Sequence, residues 1–193
     1  MEKMEKSVGT IEAADSQLIE KIVDREVIFD GRVFEVEVRK VELFDGSIAR
    51  REVVLHNGGA TIVALDDENN VYLVRQFRSP YEKVLWELPA GKLEKNEDTR
   101  TAAIRELQEE TGMVADEIVD LGKMYATPGY CSEIIYMYLA RGLHHGVGNP
   151  DDGEVLQVRK MPLKKVVEMV ESGEISDAKT AIAILKTARR VGI

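Results

Sequence analysis

The 193-residue chain is 44% hydrophobic and carries 26 Lys+Arg against 35 Asp+Glu, a formal charge of −9. A chain of this size buries about 70% of its unfolded surface, enough for one compact domain and an appendage without covalent or metal staples. The acidic balance, with no Lys/Arg stripe interleaved by aromatics, excludes general nucleic-acid binding.

Residues 1–17 are polar and are expected to fray, with a short turn of order from Leu18 to Val23. From Glu26 the apolar period is two: Val27 and Phe29, Val33 to Val41 after Asp30–Gly31, and Ile48 to Leu55 after Asp45–Gly46. This pattern predicts an antiparallel three-strand meander. Ala60–Leu65 and Val71–Gln76, joined by Asp66–Asn70, read as an apolar hairpin in a buried central sheet. Leu85 to Gly91 is a short strand stopped by Pro89 and Gly91. A helix is predicted from Asp98 to Thr111, with Ala102, Ala103, Ile104 and Leu107 on its packed face and Gly112 ending it. Strands at Glu117–Tyr125, Ile134–Ala140 and Val155–Met161 follow, then amphipathic helices at Leu163–Ser172 and Asp177–Val191. The irregular mixture predicts an α+β fold or mixed α/β sandwich rather than a doubly wound sheet.

Cys131 is the single cysteine, which excludes an internal disulfide and a thiolate-rich zinc site and fits a reducing compartment. The first 18 residues have no apolar core of signal-peptide length, and no run of about 18 apolar residues occurs anywhere. The expectation is a cytoplasmic protein with no membrane partner.

The predicted helix at Asp98–Thr111 carries the chemistry. A period of 3.6 places Glu106 and Glu110 one turn apart on one face, with Glu109 beside them. A solvated acidic face is the bland explanation. Like charges at this spacing cost about 0.2–0.5 kcal/mol, and carboxylates near a helix carboxyl end also oppose the macrodipole. A divalent cation reverses both signs, and hard oxygen ligands suit Mg²⁺ or Mn²⁺. Arg105 and Glu109 are i,i+4 partners, so a salt bridge that orients Glu109 is an alternative to direct ligation. Glu97 either caps the helix or stands behind the carboxylates as an outer partner.

Gly91, Glu97, Arg105, Glu106, Leu107, Glu109, Glu110, Gly112 and Met113 fit the spacing G-x5-E-x7-R-E-U-x-E-E-x-G-U, which resembles the Nudix box at every fixed position. Val74–Arg78, Trp86–Gly91 and Thr127–Gly129 resemble the ADP-ribose pyrophosphatase branch, which shares motifs with enzymes acting on GDP-mannose. The likeness runs from about Glu26 to Lys186. It implies an α/β/α sandwich with a mixed sheet over residues 56–193, and a tail plus antiparallel sheet over residues 1–55 through which two copies pair as a homodimer.

The resemblance further implies metal ligation by Glu106, Glu110 and the Ala90 carbonyl, with Glu109 acting directly or through water, and two or three Mg²⁺ ions, Mn²⁺ being the alternative. Glu94 and Glu97 are further candidates. Arg105 and Glu109 are placed in the catalytic set. Arg78 and Arg51 are candidates to hold phosphate or adenosine, the alternative being surface salt bridges. Glu87 and Glu133 are candidates to accept ribose hydroxyls, the alternative being solvent exposure, and Gly129 belongs to the same substrate group. A loop from Leu143 to Glu154, containing His144 and His145, is expected to supply the general base, Glu154 with Asp152 as substitute. His56 and the two loop histidines are expected at the surface, Cys131 as a packed thiol, and Phe77, Tyr81 and Trp86 in core or interface, the alternative being that one of them stacks on adenine. The implied reaction converts ADP-ribose to AMP and ribose 5-phosphate. The alternatives are GDP-mannose or another nucleotide sugar as substrate, or a catalytically silent nucleotide-binding Nudix domain.

Overall fold

The structure is a computed structural model that describes residues 13–146 and 156–193. It divides into two compact units, one holding the described residues up to His56 with Gly129–Ser132, the other Asn57–Pro128 with the described residues of Glu133–Ile193.

In the smaller unit a short 3-10 helix, Ala13–Leu18, precedes an antiparallel sheet of β1 (Lys21–Asp30), β2 (Phe34–Glu42) and β3 (Ile48–His56) in that order. The first strand thus begins before Glu26, where a turn of order at Leu18–Val23 was expected. Its pairing with β2 contains irregularities at Ile22/Asp24 and Val27/Phe29. The one at Ile22/Asp24 shifts the side-chain faces by one residue and so hides, before Glu26, the alternation that marks a strand. The segment around Cys131 lies along the free edge of β3: Val54 N–H donates to the Tyr130 carbonyl at 2.7 Å, and Ser132 N–H donates to the Val54 carbonyl at 2.9 Å.

The larger unit is built on a mixed sheet in the order β10-β5-β4-β9-β8. Its strands are β4 (Gly59–Leu65), β5 (Asn70–Arg78), β8 (Met113–Tyr125), β9 (Ile134–His145) and β10 (Leu156–Pro162). Every residue of β4 is buried, because it is parallel to β9 on one edge, paired on the other, and covered on both faces. Ile62 and Ala64 pack with Ala102, Ala103 and Leu107 of α1 (Thr99–Thr111). Val63 and Leu65 pack with Leu163 and Val166 of α2 (Leu163–Glu171) and with Ala183 and Ile184 of α3 (Ala178–Val191). The alternating faces of β4 therefore hold a sheet between helical layers. No helix among the described residues is long and apolar enough to cross a membrane.

Two expected elements end differently. β9 continues to His145 because its last residues pair with the first of β8, Met113 with His145 and Ala115 with Leu143. His144 and His145 are therefore strand residues rather than part of a loop, and Asp151, Asp152 and Glu154 lie outside the described residues. The strand expected at Leu85–Gly91 is two: β6 (Lys83–Glu87), which pairs with β5, and β7 (Ala90–Lys92), which pairs with β4. The expected β4–β5 hairpin is accordingly short, with only Ala64–Tyr72 and Leu65–Val71 in register.

Where β6 gives way to β7, Leu88 and Pro89 have no ladder partner, and side chains and backbone from elsewhere take their polar groups. Leu88 N–H donates to the buried Thr180 hydroxyl at 2.9 Å. Ile62 N–H and the Thr61 hydroxyl both donate to the Pro89 carbonyl at 3.0 Å. Thr180→Val keeps the shape but leaves the Leu88 amide without its acceptor. We expect it to cost about 1–3 kcal/mol, read as a lower urea midpoint at unchanged slope.

Candidate functional site

The acidic helix is fixed at both ends. Asp98 caps α1, accepting Thr101 N–H at 3.0 Å, and Gly112 closes it with φ 69°, a conformation suited to glycine. The hydroxyl of Thr99 meets that of Tyr138 on β9 at 2.6 Å, tying the first turn to the sheet. Asp98, not Glu97, is thus the cap. Glu97 accepts Glu94 N–H at 2.9 Å across its own tight turn and receives the guanidinium of Arg105.

Arg105 is the hub of this face. Its Nε donates to Glu97 at 3.0 Å, its Nη1 to both Glu106 and Glu109 at 2.8 Å, and its Nη2 to Glu97 and the Lys92 carbonyl. Hydrogen bonding to Glu97 outweighs burial and, with the charges of Glu106 and Glu109, holds its pKa above the usual arginine range. The Arg105 hydrogen bond likewise holds the Glu97 carboxyl below its usual range, against burial. Glu110 is buried and accepts Ala90 N–H at 3.1 Å. A Cβ on Gly91 would run into the carboxylate of Glu106, so the absence of a side chain there makes room for that group.

Among the described residues no three His, Cys, Asp or Glu side chains already stand together as a metal cage. The donor chemistry nevertheless fits a hard divalent cation. Glu106 is buried against Gly91, Glu110 is buried on the Ala90 amide, Glu109 is half-buried, and all offer oxygen only.

Beside this face lies a second charged group. Arg78, at the end of β5, donates through Nε and Nη2 to the two oxygens of Glu87 at 2.7 and 2.8 Å. Lys179 of α3 donates to the same Glu87 at 2.5 Å and pairs with Asp177 at 3.0 Å. Glu87, expected to accept a ribose hydroxyl or to face solvent, is instead 2% exposed, with both oxygens taken by cations. Burial pushes its pKa up, but hydrogen bonds and charge from Arg78 and Lys179 prevail and hold it at about 2. The Arg78 guanidinium is in turn raised, chiefly by its hydrogen bond to Glu87, against burial and with added attraction from Glu110 and Asp177.

The larger unit therefore gathers Ala90, Arg105, Glu106, Glu109 and Glu110 at one place, with Arg78, which holds Glu87, in electrostatic reach of Glu110. Glu133 is a half-buried residue of the same unit, and Glu94 is exposed. Arg51 and Gly129 belong to the smaller unit. Arg51 Nε donates to Glu20 at 3.0 Å, and Gly129 is exposed. His144 lies 3.7 Å from Asp116 at the exposed end of β9. Phe77 and Tyr81 are exposed, whereas Trp86 packs on the core and carries Arg75 over its ring at 4.9 Å. A cleft of about 480 Å³ beside Asn69, Glu117, Arg141 and Arg190 includes none of the candidate residues.

Lys179 and Thr180 were not selected from sequence. One signal was available: a lysine in the first turn of a helix opposes the macrodipole and calls for a local anion.

The lowered Glu87 pKa sets a pH dependence. An ionised form favoured by folding contributes stability above the unfolded value near 4.5, and that contribution is lost as pH falls towards 2. We expect urea unfolding of the wild type to lose on the order of 3 kcal/mol more over this interval than that of Glu87→Gln, which has no such carboxylate to protonate.

Comparison with known proteins adds a family. The NUDIX domain model matches residues 55–182. The chain is 40% identical over 169 residues to an ADP-ribose pyrophosphatase of Bacillus subtilis (strain 168), covering 86% of this chain and 91% of that protein. It is 39% identical to a methanol dehydrogenase activator of Bacillus methanolicus, covering 86% and 90%. The fold matches a crystal structure of an ADP compounds hydrolase with TM-score 0.81 at 24% identity, over 90% of this chain and 94% of that one. The chain belongs to the Nudix family and is an enzyme of its pyrophosphatase type.

Proposed function

We propose that the protein hydrolyses the diphosphate linkage of ADP-ribose to AMP and ribose 5-phosphate. The observation that carries this reading is the packing of the Glu106 carboxylate into the space left by Gly91, with Glu110 held on Ala90 N–H one turn away. The 40% identity to an ADP-ribose pyrophosphatase supports the choice of substrate.

In this reading Glu106, Glu110 and the Ala90 carbonyl hold Mg²⁺ or Mn²⁺, two or three ions in all, with Glu109 as a direct or water-linked partner. Bound there, such ions lower the pKa of water and neutralise phosphate charge. Arg105 keeps Glu106 and Glu109 from splaying apart. Arg78, anchored through one edge of its fork, presents Nη1 to a phosphate oxygen. Glu133 contributes to holding the nucleoside and sugar, and Glu154, or Asp152 in its place, takes the proton from the attacking water.

A phosphatase-coupled release assay with ADP-ribose, GDP-mannose, NADH, diadenosine polyphosphates and dGTP, each with Mg²⁺ and with EDTA, tests this reading. Mg²⁺-dependent preference for ADP-ribose is expected. Preference for GDP-mannose would move the protein to the nucleotide-sugar enzymes, and binding without turnover to the silent nucleotide-binding class. Glu110→Gln retains an acceptor for Ala90 N–H, so its melting temperature should stay near that of the wild type while kcat falls about 10²-fold or more.

We also propose that the protein works in the cytoplasm as a homodimer paired through the smaller unit. All of β1 is exposed, and Val27, Ile28 and Phe29 are each more than half accessible. A three-stranded sheet left with so much uncovered apolar surface calls for a partner. Sedimentation velocity is expected to give twice the 21.6 kDa chain mass, and Ile28→Asp to shift the population towards monomer.

A further inference from the structure

Lys179 is an unusual residue for its place. It is the second residue of α3, where the helix end carries partial positive charge, and only 14% of its side chain is exposed. Burial and the macrodipole both oppose an ammonium there. Two carboxylates retain it: Asp177, which also caps the helix by accepting Thr180 N–H at 3.0 Å, and Glu87 from a strand 92 residues away.

The consequence falls on Arg78. A carboxylate held only by one bidentate guanidinium can swing with it, and the pair then has no fixed orientation. Here the Glu87 oxygen that accepts Arg78 Nη2 also accepts Lys179 Nζ, so the capped end of α3 pins the carboxylate from the interior. Leu88, the next residue, is pinned to Thr180 of the same turn. The guanidinium fork is left one orientation, with Nη1 unpartnered among the described residues and the side chain 38% exposed.

We propose that Lys179 is a positioning residue: through Glu87 it fixes the guanidinium of Arg78 so that its free edge meets a phosphate oxygen of the diphosphate substrate. The proposal rests on the reading above that Arg78 grips the substrate. It differs from a plain stabilising ion pair in one respect: the effect of Lys179 on substrate must pass through Arg78.

A double-mutant cycle with ADP-ribose as probe decides between the two. Lys179→Met in the wild-type background is expected to raise KM about ten-fold with kcat changed by less than about threefold, and Lys179→Arg to restore most of the loss. In an Arg78→Ala background the same Lys179→Met change should alter KM by less than about twofold. An equal rise in both backgrounds, or a lowered melting temperature with unchanged KM, overturns the proposal in favour of a structural ion pair. If Arg78→Ala alone leaves KM unchanged, the reading of Arg78 as a phosphate contact fails and the proposal falls with it, an outcome distinct from an impaired Arg78→Ala beside an additive Lys179→Met. Should Lys179→Met not fold, Lys179→Gln, which keeps an N–H donor, carries the same comparison.

Discussion

A strand that changes neighbours leaves backbone groups without ladder partners at the point of change, and in a dry interior each costs about 1–3 kcal/mol unless another group takes it. The larger unit makes such a change between Glu87 and Ala90, where the chain leaves β5 and joins β4. Proline at position 89 removes one donor from the problem, and three of the remaining groups go to three different elements. Thr180 of α3 takes the Leu88 amide, Thr61 and Ile62 of β4 take the Pro89 carbonyl, and Glu110 of α1 takes the Ala90 amide. The crossing is therefore where α1, α3 and the central strand are registered against one another. It brings Gly91 against Glu106, and it fixes Glu87 at the buried end of β6.

The electrostatics follow from that registration. Glu97, Glu106 and Glu109 share a single guanidinium, and Glu110 faces a backbone amide. The planar, five-donor fork of arginine reaches all three carboxylates and the Lys92 carbonyl at once, which the compact ammonium of lysine does not. Arg105 thus preserves the convergence of carboxylates that repel one another, while the face as a whole keeps an excess of negative charge. That excess attracts cations, and the oxygen-only donor set favours hard ones.

Much of this was legible in the sequence wherever one local signal sufficed. The box spacing located α1, its cap region, Gly91 and every carboxylate that Arg105 gathers, because helix periodicity maps residue number directly onto a face. The buried run of β4 and the helices α2 and α3 followed from apolar pattern in the same way. What the sequence did not disclose depends on distant pairing. The split of one strand into β6 and β7 is set by β5 and β4, the bulged start of β1 by β2, and the extension of β9 through His144 and His145 by the opening residues of β8. The burial of Glu87 is hidden for the same reason: a glutamate at a strand end says nothing of a lysine 92 residues later that pairs with it.

Two acidic systems of different charge balance stand side by side in the larger unit. On α1, Glu106, Glu109 and Glu110 outnumber Arg105, so that face keeps a net negative charge. Around Glu87 the count is even, Arg78 and Lys179 against Glu87 and Asp177, and the burial falls on the carboxylate and the lysine rather than on Arg78. An even count in which the arginine alone is substantially exposed gives a positive edge whose counter-charge is already inside the protein. Such an edge can meet an anion without first surrendering a solvent-exposed partner, and it lies within electrostatic reach of a face of net negative charge. A diphosphate travelling with its metal ions requires both signs at adjacent places. The crossing at Leu88–Pro89 keeps them adjacent because Glu87 and Ala90, three residues apart on one hydrogen-bonded segment, belong to one system each.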